Sequence, residues 1–155
     1  MQIIVYTQKD SGGSLSRESV KLLEAAEELR LESGGEIIEI SDLEFNELSE
    51  FIKEKNPQVV MFASNERTRM LASRLALKLG TSISSDCFGV RYIKEQDKVR
   101  WIRPVYDNSM LAETESKSNS PQIGLLRITT QDPSLKWSED IPIDDAEIVV
   151  CIGRG

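Results

Sequence analysis

The chain has 155 residues, 39% of them hydrophobic, carries a net charge of −7 and has no histidine; that length suits one globular domain burying roughly 70% of its unfolded surface without disulfide or metal staples. Without imidazole, Ser-His-Asp, Cys-His and His-metal chemistries are excluded within the chain, and the acidic total argues against nonspecific binding to duplex DNA. No apolar run approaches the roughly 18 residues of a membrane span, the opening Met1-Gln2-Ile3-Ile4-Val5-Tyr6 reads as a strand rather than a signal peptide, and Cys87 and Cys151 have neither metal-ligand nor redox spacing, which points to a reduced cytoplasmic setting.

In chain order, residues 2–6 form a short apolar strand, followed by the loop Lys9-Asp10-Ser11-Gly12-Gly13. Ser16 is an N-cap for a helix to about residue 32, with Leu22, Ala26 and Leu29 on one face and Gly34-Gly35 as its stop. A second strand over 36–40 meets Ser41-x-x-Glu44, whose spacing predicts a capping box opening a helix with Leu43, Leu48, Phe51 and Ile52. Pro57 ends that helix. The continuous apolar run Val59-Val60-Met61-Phe62 predicts a strand covered on both faces. A third helix then runs from 66 to 79 and is closed by Gly80. This alternation, with right-handed crossovers, makes a three-layer α/β domain with a mainly parallel sheet.

The second half breaks the rhythm. Residues 87–93 and 98–105 read as a β-hairpin turning at Glu95-Gln96-Asp97, with further strands over 110–113 and 122–128, so that antiparallel strands extend the parallel sheet. A loop over 131–140 leads to a last strand over 146–151, and that strand runs into Ile152-Gly153-Arg154-Gly155. A strand feeding a glycine-rich turn normally precedes a helix whose free N–H groups hold a phosphate, so the chain is expected to supply the approach to a nucleotide site without the site itself. The division is 1–145 as the domain and 146–155 as the last strand and the start of that turn.

Charge is polarised. Residues 16–55 hold 12 acidic and 5 basic side chains, whereas residues 66–103 hold 9 basic and 4 acidic ones. Arg67, Arg74 and Lys78 fall on one helical stripe, either to receive a partner's carboxylates or as a solvated face. Gly12, Gly13 and Ser14, with Ser64 and Asn65 opposite at the end of the third strand, occupy the position where open α/β sheets bind ligands, and form a candidate phosphate loop for AMP or ATP. The loop has neither the dinucleotide-binding nor the lysine-bearing phosphate-loop pattern. No residue is nominated as catalytic or as a metal ligand.

From Val59 to Cys87, the order Val-Val-Met-Phe-Ala-Ser, Arg69, Leu71-Ala72, Arg74-Leu75-Ala76, Leu79-Gly80-Thr81 and Asp86-Cys87 resembles the N-terminal domain of electron transfer flavoprotein alpha subunits. Arg103-Pro104-Val105-Tyr106 is similar to that family's Arg-Pro-Ala-Tyr element, Pro121-Gln122 through Arg127 to its Pro-Gln-Met-Ala-Thr-Val-Arg segment, and residues 149–155 to its Val-Val-Ser-Gly-Gly-Arg-Gly strand and turn. The resemblance implies an adenine nucleotide alpha hydrolase-like fold and a role as scaffold and interface within an FAD-dependent electron carrier. It also implies a partner, either a beta-like subunit or a separate FAD domain, and FAD contacts at Gly153, Arg154 and Gly155. Thr68, Asp107, Asn108 and Ile152 stand where the family has glycine, each adding a Cβ, so tight FAD binding by this chain alone is not expected. Arg69, Asp86, Arg103 and Arg127 are expected to be structural or interface residues: Arg69 sits at a helix N-terminus that disfavours a cation unless an acidic group or a ligand offsets it, and pairing with Asp86 is expected there rather than ligand binding. Trp101 and Tyr106 are expected to pack, and Cys87 to be a buried small hydrophobe. A free-standing adenine-nucleotide-binding module and a ligand-free interaction protein are the alternatives.

Overall fold

The computed structural model of the protein describes residues 1–106, 110–116 and 121–128. The last strand expected over 146–151, the loop over 131–140, Asp107-Asn108 and the turn residues Gly153, Arg154 and Gly155 lie outside the described residues. Strand β1 (Gln2–Thr7) leads to helix α1 (Arg17–Ser33), β2 (Glu36–Ser41), α2 (Phe45–Lys55), β3 (Val59–Ala63) and α3 (Glu66–Leu79). Strands β4 (Ile83–Cys87), β5 (Gly89–Ile93), β6 (Lys98–Val105), β7 (Met110–Thr114) and β8 (Gln122–Leu126) complete the described elements.

The helix boundaries follow from local chemistry. The Ser16 side chain accepts from the Ser19 N–H at the start of α1, and Gly34 ends that helix at φ 66, a left-handed conformation that costs glycine nothing. Asn65 caps α3 by accepting from Thr68 N–H, and Gly80 closes it at φ 66. Helix α2 starts one turn later than the Ser41-x-x-Glu44 pattern predicts. Its N-cap is Glu44, and Glu47 accepts the Glu44 N–H at 3.3 Å. The reason is that Ser41 is still paired in β2 opposite Thr7 and Asp42 turns the chain at φ 58, so Leu43 precedes the helix.

Five strands form a parallel sheet in the order β2-β1-β3-β8-β4. Alternate residues send Ile3, Val5, Val59, Met61 and Leu126 to one face, against Leu22, Ala26 and Leu29 of α1. Ile4, Tyr6, Val60, Phe62, Ile123 and Leu125 go to the other face, against Leu48 and Ile52 of α2 and Ala72, Leu75 and Ala76 of α3. Every residue of β3 is buried, as its unbroken apolar run requires. Each fully buried Leu, Ile or Phe contributes about 1.5–3 kcal/mol, so two such faces dominate the stability of the domain.

The antiparallel strands are gathered in a sheet of their own, β5-β6-β7, on the same side of the parallel sheet as α1. Val99 and Trp101 of β6 join the α1-side core, and Glu32 at the end of α1 accepts the Tyr92 N–H of β5 at 2.9 Å. The expected strand over 87–93 is in fact two. Strand β4 ends at Cys87 in the parallel sheet, and β5 begins at Gly89 in the other, so Phe88 carries the chain across. Strand β8, expected among the antiparallel strands, inserts parallel between β3 and β4.

Trp101 explains how the two sheets seat. It is fully buried, and its ring lies where a side chain at Gly124 of β8 would project: a Cβ there would fall 2.0 Å from the ring. The glycine is required by close approach, and the indole Nε1 donates to Gln122 Oε1 at 3.3 Å.

Candidate functional site

Strands β1 and β3 are neighbours whose chains leave in opposite senses, β1 through α1 to β2 and β3 through α3 to β4. Their carboxyl ends therefore form the switch point at which open α/β sheets take ligands. The candidate phosphate loop Gly12-Gly13-Ser14 is there, with Ser64 and Asn65 opposite. Its amides are occupied from within the loop. Asp10 Oδ1 accepts the N–H groups of Gly12 at 2.9 Å and of Ser14 at 3.0 Å, and the Asp10 carbonyl accepts that of Gly13 at 3.0 Å. A carboxylate thus holds the position that a phosphate would take, and an incoming phosphate would meet a like charge. The crevice is also spanned, because Asn65 Nδ2 donates to Gln8 Oε1 at 2.6 Å. The first turn of α1 is closed in the same way by Ser16 and Ser19, the latter also bonded to both backbone groups of Gln8. These described residues do not fit a pyrophosphate.

An open cleft of about 550 Å³ lies beside this crevice on the α2–α3 side, bordered by Tyr6, Phe45, Asn65, Arg67, Met70 and Arg74. Burial raises the Tyr6 phenol above its ordinary value, with Arg67 opposing. The basic stripe of α3 is partly spent on packing. Arg74 and Lys78 lie over the Phe45 ring at 4.2 and 5.0 Å, and Lys78 also reaches Asn46 Oδ1 at 3.4 Å, which ties α3 to α2.

The remaining nominated residues meet at the other carboxyl corner, around the ends of β3, β8 and β4. Backbone hydrogen bonds knit it together: Ser64 N–H to the Leu126 carbonyl at 2.7 Å, Arg127 N–H to Cys87 at 2.7 Å, and Phe88 N–H to Ile102 at 2.7 Å, one residue before Arg103. In β4 the register against β8 slips between Ser84 and Cys87, where three steps along β4 match two along β8. The extra residue moves Cys87 to the α1-side core although Ile83 packs on the opposite face. It leaves Asp86 at φ 60, a conformation Asp tolerates better than most side chains.

The partner of Asp86 is Arg127, not Arg69. Arg127 Nε donates to Oδ1 at 2.8 Å and one terminal nitrogen to Oδ2 at 2.5 Å, a two-pronged pairing, while the guanidinium lies 5.0 Å from the Phe88 ring. Arg69 instead donates through Nε to Ser64 Oγ at 3.0 Å, which turns its charge back over the start of its own helix. The hydrogen bond from Arg127 holds the Asp86 carboxyl below its ordinary value, with smaller contributions from Arg69 and Arg103. Burial pushes the Cys87 thiol up to about 11, against the nearby Arg103. At neutral pH it is an inert core thiol, as expected of it. Trp101 packs in the core, whereas Tyr106 is exposed at φ 49.

Among the described residues no group of His, Cys, Asp and Glu is placed to hold a metal ion, and no helix is long and apolar enough to cross a membrane. The family described as electron transfer flavoprotein domain matches residues 46–148, more than half of the chain. The electron transfer flavoprotein subunit alpha of Megasphaera elsdenii is 24% identical over 70% of this chain and 41% of its own length. That of Clostridium acetobutylicum is 25% identical over 92% and 38%. The LctC subunit of the lactate dehydrogenase (NAD(+),ferredoxin) of Acetobacterium woodii is 27% identical over 71% and 33%. The chain spans less than half the length of each of these relatives.

Proposed function

Because the chain belongs to the electron transfer flavoprotein domain family, we propose that it is the scaffold and interface part of an FAD-dependent electron carrier, related to the alpha subunit. In that assembly it works with a beta-like subunit or a separate FAD-binding part. A flavin does the redox chemistry, and this chain contributes position and electrostatics. Gly153, Arg154 and Gly155 are the chain's proposed contacts to FAD, and AMP is not its ligand. Residues 1–145 are the proposed scaffold domain.

The observation that carries this reading is the family match, joined to the state of the sheet's own ligand crevice. Asp10 occupies the loop amides and the Gln8–Asn65 bond spans the opening. A module that captured adenine nucleotides on its own would keep that crevice available. The experiment is gel filtration of the full chain mixed with the electron transfer flavoprotein beta-type subunit from the same genome. Co-elution with that subunit, or with a separate FAD-binding part tested in the same way, is the expected result, and separate elution from both contradicts it. A parallel melt with AMP addresses the rival module: the account expects no rise in Tm, and a saturable rise would favour the rival.

A further inference from the structure

We propose that the corner formed by Arg69, Arg103 and Arg127 is a binding site for a phosphate group, distinct from the glycine loop and independent of the partner assigned above. One guanidinium, that of Arg127, grips the Asp86 carboxylate there, and those of Arg69 and Arg103 act on it electrostatically. Arg127 is matched by Asp86, but among the described residues Arg69 finds only the neutral hydroxyl of Ser64. The Arg103 side chain has no hydrogen bond among the described residues, and its Nε is buried without a partner. A buried donor left unpaired costs free energy, so the corner retains a cost that a bound acceptor removes.

Charge and geometry select the ligand. Both Arg69 and Arg103 are close enough to pull on the Asp86 carboxyl, and Arg103 acts also on Cys87, yet neither forms an ion pair with Asp86. Among the described residues these two positive charges near Asp86 have no ion-pair partner, which suits a dianion better than a single carboxylate. Guanidinium forks present parallel N–H groups that match phosphate oxygens. Asp86 keeps Arg127 oriented by gripping it from two atoms, and the β4 irregularity fixes Asp86. Such a corner is pre-shaped on strand ends rather than on a loose loop. Arg127 is 38% exposed and Asp86 34%, so a small anion in solvent can reach the pair.

The test is thermal melting and calorimetric titration of the full chain with inorganic phosphate, against sodium chloride at matched ionic strength. The wild type is expected to show a saturable rise in Tm with phosphate and none with chloride. Arg69→Gln and Arg103→Met are each expected to weaken phosphate binding by about tenfold or more, the loss of one charge-assisted hydrogen bond. Arg74→Gln, on the opposite side of α3, leaves it unchanged. Arg69 is exposed, so that variant stands even where Arg103→Met fails to fold. Absence of a phosphate-specific rise overturns the proposal, and so does equal binding by wild type and Arg69→Gln. AMP is expected not to compete with phosphate at this corner; competition would overturn the assignment and favour the nucleotide-binding rival.

Discussion

At the scale of single residues, Asp86 shows how one inserted position organises a corner. The slip in β4 places it at φ 60, and Arg127 meets it with two hydrogen bonds. Because its carboxyl is held below the ordinary value, the unfolded chain takes up that proton first on acidification. The pairing therefore stabilises the fold fully above the ordinary carboxylate range, and the stabilisation disappears as pH falls through the lowered value. Asp86→Asn is expected to lower stability at pH 7 by about 1 kcal/mol, a modest figure because both groups are partly exposed. The gap should close as pH falls through the ordinary carboxylate range and below it, read by urea denaturation. A gap that stays constant across that window contradicts the pairing.

At the scale of elements, the seat of one sheet on the other depends on Gly124 and Trp101. Gly124→Ala places a methyl 2.0 Å from a rigid, fully buried ring, so either β6 lifts or the indole leaves its place. The expected loss is about 3 kcal/mol, read as a lower urea midpoint. An unchanged midpoint would mean that Trp101 does not seat on this glycine. The same contact marks the limit of what the sequence discloses. The helices were legible because their caps are local: Ser16, Gly34, Asn65 and Gly80 act within a few residues of themselves. Strand β3 was legible because an apolar run covered on both faces has a plain pattern. Strand β4 was not, since Ser84-Ser85-Asp86 offers no apolar alternation and its partner β8 lies some forty residues away. The pairing of Asp86 with Arg127 rather than Arg69 was hidden for the same reason: a one-residue slip reverses which way a side chain points. That Asp10 fills its own loop was also not legible, because a glycine-rich turn looks the same in sequence whether its amides face a ligand or a neighbouring carboxylate.

At the scale of the whole molecule, acidic helices α1 and α2 stand apart from the basic carboxyl corner, and the two sheets share one core on the α1 side. The described residues make a stable platform whose switch-point crevice is already filled by Asp10, Gln8 and Asn65. The chain belongs to the electron transfer flavoprotein domain family, and the function proposed above would set this platform beside a flavin held by other parts of an assembly. Following flavin absorbance while the full chain, preincubated with FAD, passes alone through gel filtration tests that assignment most directly. The account predicts that the protein peak emerges colourless with FAD in the small-molecule fraction; a peak retaining one flavin per chain would contradict it.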